Sequence, residues 1–284
     1  MYFNDKTNLN FMSIKSKEVV IVGAVRTPIG TYKGSLKHMR ADQLGSIVIE
    51  EVLKRSQFSK DEIDEVIMGQ VLAAGAGQNP ARQAAINAGI PKEKPAYIVN
   101  QVCGSGIRSV VSGFQSIVSG DSKIIISGGQ ENMSLAPHAI HLRDGKKLGN
   151  SEVTDTMIKD GLWDAFNEYH MGMTAENVAE KFQVTREEQD KFAFKSQEKA
   201  LKAQSNNRFK EEIVNFKIKS KKAEIDFFKD ESLILAFGVD SIEDTWMRGF
   251  SFGGIDKDPW YKLLPNSQIR KGSSHIFFSD LEND

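Results

Sequence analysis

Cys103 is the single cysteine among 284 residues, and it stands where an apolar segment runs through a glycine turn towards an amphipathic stretch. Residues 99–108 read Val-Asn-Gln-Val-Cys-Gly-Ser-Gly-Ile-Arg. A thiol at the first turn of a helix lies against unpaired N–H groups and the positive end of the helix dipole, which favour the thiolate. A lone cysteine in an arbitrary chain is usually a small buried hydrophobe, but this glycine turn favours a nucleophile.

The segment after Cys103 has the spacing of a helix. Its apolar residues recur at i, i+3, i+4 and i+7, which predicts one apolar stripe on one helix face, and Gly120 ends the pattern. The stripe consists of Ile107, Val110, Val111, Phe114, Ile117 and Val118.

Strand and helix patterns alternate over the first part of the chain. Apolar runs predict strands at 19–22, 65–69, 96–100 and 123–127, and helical spacing is found at 44–52 and 81–88. The run at 19–22 is continuous, which is typical of a strand covered on both faces. This alternation predicts an α/β domain with a largely parallel sheet, and Cys103 falls at a strand carboxyl end, where such sheets bind ligands.

Residues 100–108 resemble the acylation site of the thiolase family, the acetyl-CoA acetyltransferases. Further segments resemble motifs of that family in the same order, and a set of ordered motifs is far more specific than any one of them. These segments are 22–30, 77–83, 127–134 and 169–177. The resemblance runs from about residue 17 to residue 231.

The resemblance implies a thiolase-like N-terminal α/β domain, with a mostly parallel or mixed sheet between helices and an inserted loop domain. The chain then divides into an N-terminal extension (1–16), the α/β core (17–129) and the loop domain (130–231), followed by a divergent C-terminal tail (232–284). The tail does not follow the family pattern, and the second α/β half of a family member is not recognised in it.

The resemblance also implies a two-step reaction. The thiolate of Cys103 attacks an acyl-CoA thioester to give an acyl-enzyme, and a second acyl-CoA then loses an α-proton and attacks that intermediate. The family assigns proton transfer to a second cysteine in a Cys-x-Gly-Gly-Gly turn and activation of the nucleophile to a histidine in a Gly-His-Pro turn. This sequence has no second cysteine, and its last histidine, His275, lies in Ser-Ser-His-Ile. We therefore expect a truncated or diverged enzyme with impaired turnover.

Leu162, His170 and Met171 match family residues that line the pantetheine channel, although His170 could instead be a hydrogen-bonded structural histidine. The implied partner is acetyl-CoA or another short acyl-CoA, which is a substrate and not a cofactor. A homo-oligomer, as in the family, or a complementing C-terminal half is also implied. Two alternatives stay open: a noncatalytic acyl-CoA binding or interaction module, and one half of a split enzyme.

Composition limits the other classes of function. With 37 basic and 38 acidic side chains, no overall field draws the chain to nucleic acid or to an acidic membrane surface. No apolar run reaches the roughly eighteen residues of a membrane span, and the start does not resemble a signal peptide. One cysteine suits a reducing compartment, so we expect a cytoplasmic protein. His138 and His141 have no third ligand nearby in the sequence, so no metal site is predicted.

Overall fold

The computed structural model describes residues 18–219 and 224–231. The predicted extension 1–16 and the predicted tail 232–284 lie outside these residues. In the first part of the chain, helices and strands alternate as predicted, and the observed bounds differ from the expected ones by a few residues. The elements are α1 (Ala41–Ser56), β1 (Glu65–Gly69), α2 (Pro80–Asn87), β2 (Ala96–Val99), α3 (Ser105–Ser119) and β3 (Ile125–Gly129).

The three strands form a parallel sheet in the order β2-β1-β3. Val66 and Met68 of the central strand belong to a buried cluster with Ile49 of α1 and Ala84 of α2. Side chains alternate between the faces of a strand, so Ile67, which is fully buried, lies on the opposite face, towards α3. The α/β class and the parallel sheet between helices are confirmed.

Helix α3 packs on this sheet through its small residues. Ser105, Ser109 and Gly113 form its buried face, and the Ser109 hydroxyl donates to the Gly128 carbonyl of β3 at 2.7 Å. The apolar stripe predicted the helix correctly but faces away from this sheet, since Ile107 is 74% exposed and Phe114 is 51% exposed. The close approach requires side chains of minimal size on the sheet side of the helix.

The strand predicted at residues 19–22 is wrong for the described structure. No strand is assigned there, and Val20, Ile21 and Val22 are 64%, 81% and 59% exposed. A strand requires a hydrogen-bonding neighbour, and no neighbouring strand pairs with these residues within the described part of the chain.

The second part of the chain is built from short hairpins and two longer helices. The segment 133–164, which shows no sustained period, contains a 3₁₀ turn, three short strands and a π-helical segment, Met157–Leu162. Thr185 and Glu188 form the predicted capping box at the start of α5. The elements are β4 (His138–Ala139), β5 (Thr154–Asp155), β6 (Trp163–Asp164), β7 (Tyr169–His170), α4 (Met171–Phe182), α5 (Arg186–Ser205), β8 (Phe216–Lys219) and β9 (Glu224–Phe227).

Residues 26–35 are held by the last residues that the structure describes. The Arg26 guanidinium donates to both carboxylate oxygens of Asp230, at 2.7 and 3.0 Å, and to Glu212 at 2.7 Å. The Glu231 carboxylate accepts the backbone N–H groups of Thr31 and Ser35. The segment that begins the family resemblance is therefore tied to the residues at which it was expected to end.

Candidate functional site

Cys103 lies between the end of β2 and the start of α3, at the carboxyl edge of the parallel sheet, and its side chain is exposed. Helix α3 begins at Ser105 with Gly104 as its N-cap, so Cys103 immediately precedes the first turn that was predicted to contain it. The thiol still lies beside the amino end of a helix and at the edge where parallel sheets bind ligands.

The backbone at Cys103 is a strained four-residue turn. The Gln101 carbonyl accepts the Gly104 N–H at 3.1 Å, which makes Val102 and Cys103 the central residues. Val102 has a φ of 49°, whereas Cys103 is not among the residues with positive φ, and this is the φ pattern of a type II′ turn. Glycine normally occupies the position that Val102 takes. Such conformations cost on the order of 1–3 kcal/mol in non-glycine residues and cluster at functional sites.

Two polar side chains hold this turn. The Asn100 side-chain oxygen accepts the Val102 N–H at 2.9 Å. The Ser105 hydroxyl accepts the Gln101 N–H at 2.9 Å and donates to the Val102 carbonyl at 2.5 Å. The strained conformation therefore has bonded partners on both sides of Val102.

Gly69, at the end of β1, makes room for the start of α3. A Cβ on Gly69 would lie 2.5 Å from the Gly106 nitrogen and closer still to the Ser105 carbonyl carbon. Both are backbone atoms, which cannot rotate away as a side chain can. The position of the Cys103 turn above the sheet therefore depends on the absence of a side chain at residue 69.

Glu131 supports the same edge of the sheet, and sequence reasoning gave it no role. Its carboxylate accepts the N–H groups of Val71 and Leu72 at 2.8 and 3.0 Å. The Asn100 amide in turn donates to the Val71 carbonyl at 3.5 Å. Burial raises the pKa of Glu131, against the opposing effect of its backbone hydrogen bonds. An acidic residue two positions after a glycine-ended strand, in the segment 127–134, was the available signal.

The structure brings Leu162, His170 and Met171 together. Leu162 ends the π-helical segment and is 9% exposed, and the next residue, Trp163, pairs with His170 across the β6–β7 hairpin. His170 is the N-cap of α4, where its Nδ1 accepts the Gly172 N–H at 3.0 Å, and Met171 is the first residue of that helix. The structural interpretation of His170 is thus confirmed as a helix cap, and the pantetheine contact stays a prediction.

Burial lowers the pKa of His170 below its ordinary value of 6.5, and a protonated Nδ1 could not accept the Gly172 N–H. The unfolded state therefore takes up the proton first as the pH falls, and the free energy of unfolding decreases below about pH 6.5. His170→Asn keeps an N-cap acceptor but does not titrate. Urea unfolding at about pH 7.5 and about pH 5.5 should show a smaller loss of stability for this variant than for the wild type. Equal losses would contradict the assignment.

Cys103 lines neither of two cavities among the described residues. One, of about 520 Å³, is bounded by Asp155, Lys159 and Trp163. The other, of about 210 Å³, is lined by residues that include Asp42 and Glu131. The thiol instead opens onto an exposed surface that continues into the apolar stripe of α3.

Residues 18–219 and 224–231 contain neither a metal-binding cluster nor a membrane-spanning helix. No group of three His, Cys, Asp or Glu side chains there is arranged to hold a metal ion, and His138 instead lies 3.7 Å from the Asp155 carboxylate. No helix in the same residues is long and apolar enough to cross a membrane.

Comparison with known proteins places these features in one family. Residues 19–245 match the family model described as thiolase, N-terminal domain, which extends past Glu231, where the resemblance was expected to end. An acetyl-CoA acetyltransferase of Rhizobium meliloti (strain 1021) is 52% identical over 229 residues, covering 81% of this chain and 58% of that protein. A cytosolic acetyl-CoA acetyltransferase of Rattus norvegicus is 50% identical over 211 residues, covering 74% of this chain and 53% of that protein.

The fold has a solved counterpart as well. The crystal structure of the Bacillus anthracis acetyl-CoA acetyltransferase matches with a TM-score of 0.73 and 39% identity, over 75% of this chain and 54% of that one. The chain thus spans a little over half the length of the relatives it matches.

Proposed function

The chain belongs to the thiolase family through its N-terminal domain, and from that premise we propose that Cys103 is its acyl-accepting nucleophile. The Cys103 thiolate attacks the carbonyl carbon of acetyl-CoA or another short acyl-CoA. The thioester bond to CoA breaks, the CoA thiolate leaves, and a new thioester joins the acyl group to Cys103. The observation that carries the proposal is the strained turn that presents the lone cysteine at the carboxyl edge of the sheet.

The CoA arm is proposed to contact Leu162, His170 and Met171. The clustering of these residues around the β6–β7 hairpin and the start of α4 supports this role. Because burial lowers the pKa of His170, its imidazole is neutral at neutral pH and suits the uncharged pantetheine arm better than a cation would.

The acylation step is tested by incubating the purified chain with acetyl-CoA and measuring its intact mass. We expect one added acetyl group, mapped to Cys103 by peptide fragmentation, because the chain has no other thiol. Cys103→Ser, which replaces the thiol by the weaker hydroxyl nucleophile, is the matched control and should keep its original mass. An unchanged wild-type mass would reject the proposal.

The exposed face of α3 favours a second possibility, in which this chain is one part of a larger assembly. Ile107, Val110 and Phe114 are 74%, 41% and 51% exposed and lie on the helix that follows the exposed Cys103. Contiguous exposed apolar surface marks interaction sites. The proposed occupant is a polypeptide that carries the Gly-His-Pro and Cys-x-Gly-Gly-Gly turns, and a homo-oligomer of the completed unit is proposed as in the family. Co-expression with such a polypeptide should yield a complex that co-purifies, and failure to co-purify would count against it.

A noncatalytic acyl-CoA binding module is the remaining alternative. Calorimetric titration with acetyl-CoA, followed by intact-mass measurement, distinguishes the module from the acyl-accepting enzyme, since binding without acylation of Cys103 would favour the module. We propose a cytoplasmic location, which the single thiol and the cytosolic rat relative support.

A further inference from the structure

Ser105 is the side chain that spans the strained turn before α3. Its hydroxyl accepts the Gln101 N–H and donates to the Val102 carbonyl. These two groups are the first and the last polar backbone groups of the pair Gln101 and Val102. Ser105 is 4% exposed, so bulk water does not replace these bonds. Because both groups are bonded to the same Ser105 oxygen, the φ and ψ angles of Gln101 and Val102 are restricted.

Val102 needs such support because its side chain is β-branched and its φ is 49°. Valine in the left-handed region is a genuine outlier, whereas glycine adopts it freely. If Val102 relaxed to a negative φ, the next residue, Cys103, would turn away from the amino end of α3. The direction of the Cys103 thiol therefore depends on the backbone conformation of Val102.

We propose that Ser105 is a positioning residue for Cys103: its hydroxyl holds Val102 in the left-handed conformation and so keeps the thiol beside the amino end of α3. This inference rests on the proposed role of Cys103 as acyl acceptor, and it adds a residue that does not itself react. The amino end of a helix attracts negatively charged groups, and the thiolate is the form of a cysteine that attacks a thioester.

Ser109 provides a matched control on the same helix face. It is fully buried, and its hydroxyl shares one hydrogen between the backbone carbonyls of Gly106 and Gly128, as that of Ser105 donates to the Val102 carbonyl. Its hydroxyl ties α3 to β3 and has no bond to residues 100–104 among the described contacts. Removing either hydroxyl disturbs the packing of α3, but only the loss at residue 105 releases the turn.

The test uses alkylation of the full chain by iodoacetamide, which reports on Cys103 alone because no other thiol exists. Ser105→Ala should slow alkylation about two- to fivefold, the size of a typical interaction of a charge with a helix end. Ser109→Ala should alkylate at the wild-type rate, and Ser105→Thr, which restores a hydroxyl, should recover most of the loss. Equal slowing by Ser105→Ala and Ser109→Ala would overturn the proposal.

Val102→Gly separates positioning from a merely structural role. Glycine holds a positive φ without strain, so in this background Ser105→Ala should have little effect on the alkylation rate. The same slowing in both backgrounds would overturn the proposal. If Ser105→Ala alone does not fold, the double variant should regain folding by circular dichroism, and its failure would also overturn the proposal. These outcomes do not depend on acylation. If the wild-type chain did not react with acetyl-CoA, the proposed function would be rejected, but the proposed role of Ser105 would not.

Discussion

Thiolysis of acetoacetyl-CoA by the 284-residue chain alone is expected to remain at background. The chain has one cysteine, and its last histidine does not lie in a Gly-His-Pro turn. Positioned acid and base groups contribute about 10²- to 10⁴-fold to a rate, and an oxyanion-hole donor contributes roughly 10²- to 10³-fold. Because such groups act as a unit, the loss of one can remove most of the rate enhancement. With acetyl-CoA, whose leaving group is the CoA thiolate, the chain would stop after the first half-reaction with Cys103 acylated, whereas cleavage of acetoacetyl-CoA needs a proton donor already in that step.

The measurement is the loss of acetoacetyl-CoA absorbance in the presence of CoA, with Cys103→Ala as the control. Turnover by the chain alone that Cys103→Ala abolishes would contradict this prediction. Addition of a polypeptide that carries the two missing turns should restore turnover if the chain is one part of a split enzyme. Restoration should require Cys103, because the added polypeptide contributes proton transfer and not the acyl acceptor.

Among glycine-to-alanine substitutions at this edge of the sheet, Gly69→Ala is expected to lower the free energy of unfolding the most. The new Cβ would lie 2.5 Å from the Gly106 nitrogen and closer to the Ser105 carbonyl carbon, so the first turn of α3 must move off β1. Overpacking of a well-packed core typically costs 1–3 kcal/mol and occasionally more. Since the neighbouring atoms here are backbone, we expect about 3 kcal/mol.

Gly128→Ala is the matched control for this substitution. Gly128 pairs with Met68 in the same sheet, and a Cβ there would meet the Met68 sulfur at 3.7 Å, an ordinary contact. Alanine also lowers the entropy of the unfolded chain, so the control should be neutral or stabilised by about 0.5 kcal/mol. Urea unfolding followed by circular dichroism compares the two variants. Equal free energies of unfolding would show that α3 can shift from β1 at little cost.

Much of the α/β core follows from local patterns. The runs at 65–69 and 96–100 predict β1 and β2 closely, since short apolar runs bounded by turn residues favour strands. The capping box at Thr185 fixes the start of α5 because its side chains satisfy the N–H groups of that turn. The run at 19–22 is more continuously apolar than β1 and yet forms no strand. The apolar composition of a segment indicates its tendency to be buried, but a strand also needs a neighbouring strand for its backbone hydrogen bonds.

Helix α3 is a second case in which a local pattern predicts the element but not its packing. Its apolar spacing predicts that it is a helix, but its packing is decided by Ser105, Ser109 and Gly113, on the face with less apolar surface. The spacing of apolar residues indicates which residues share a face of the helix, but it does not indicate which face packs on the sheet. The close approach of α3 to β1 and β3 depends on Gly69 and on the Ser109 bond to Gly128, and these are contacts between residues far apart in the chain.

The sequence by itself determined that Cys103 is the only thiol, that it follows a strand and precedes a helix, and that its surroundings are those of the thiolase family. These properties follow from residue types and their local order. Only the tertiary structure decided that Val102 is strained, that Ser105 spans the turn, and that Glu131 and Asn100 meet at Val71. The physical reason is that φ angles and hydrogen bonds between distant residues are set by packing. The orientation of the proposed nucleophile is thus a property of the fold, whereas its identity is a property of the sequence.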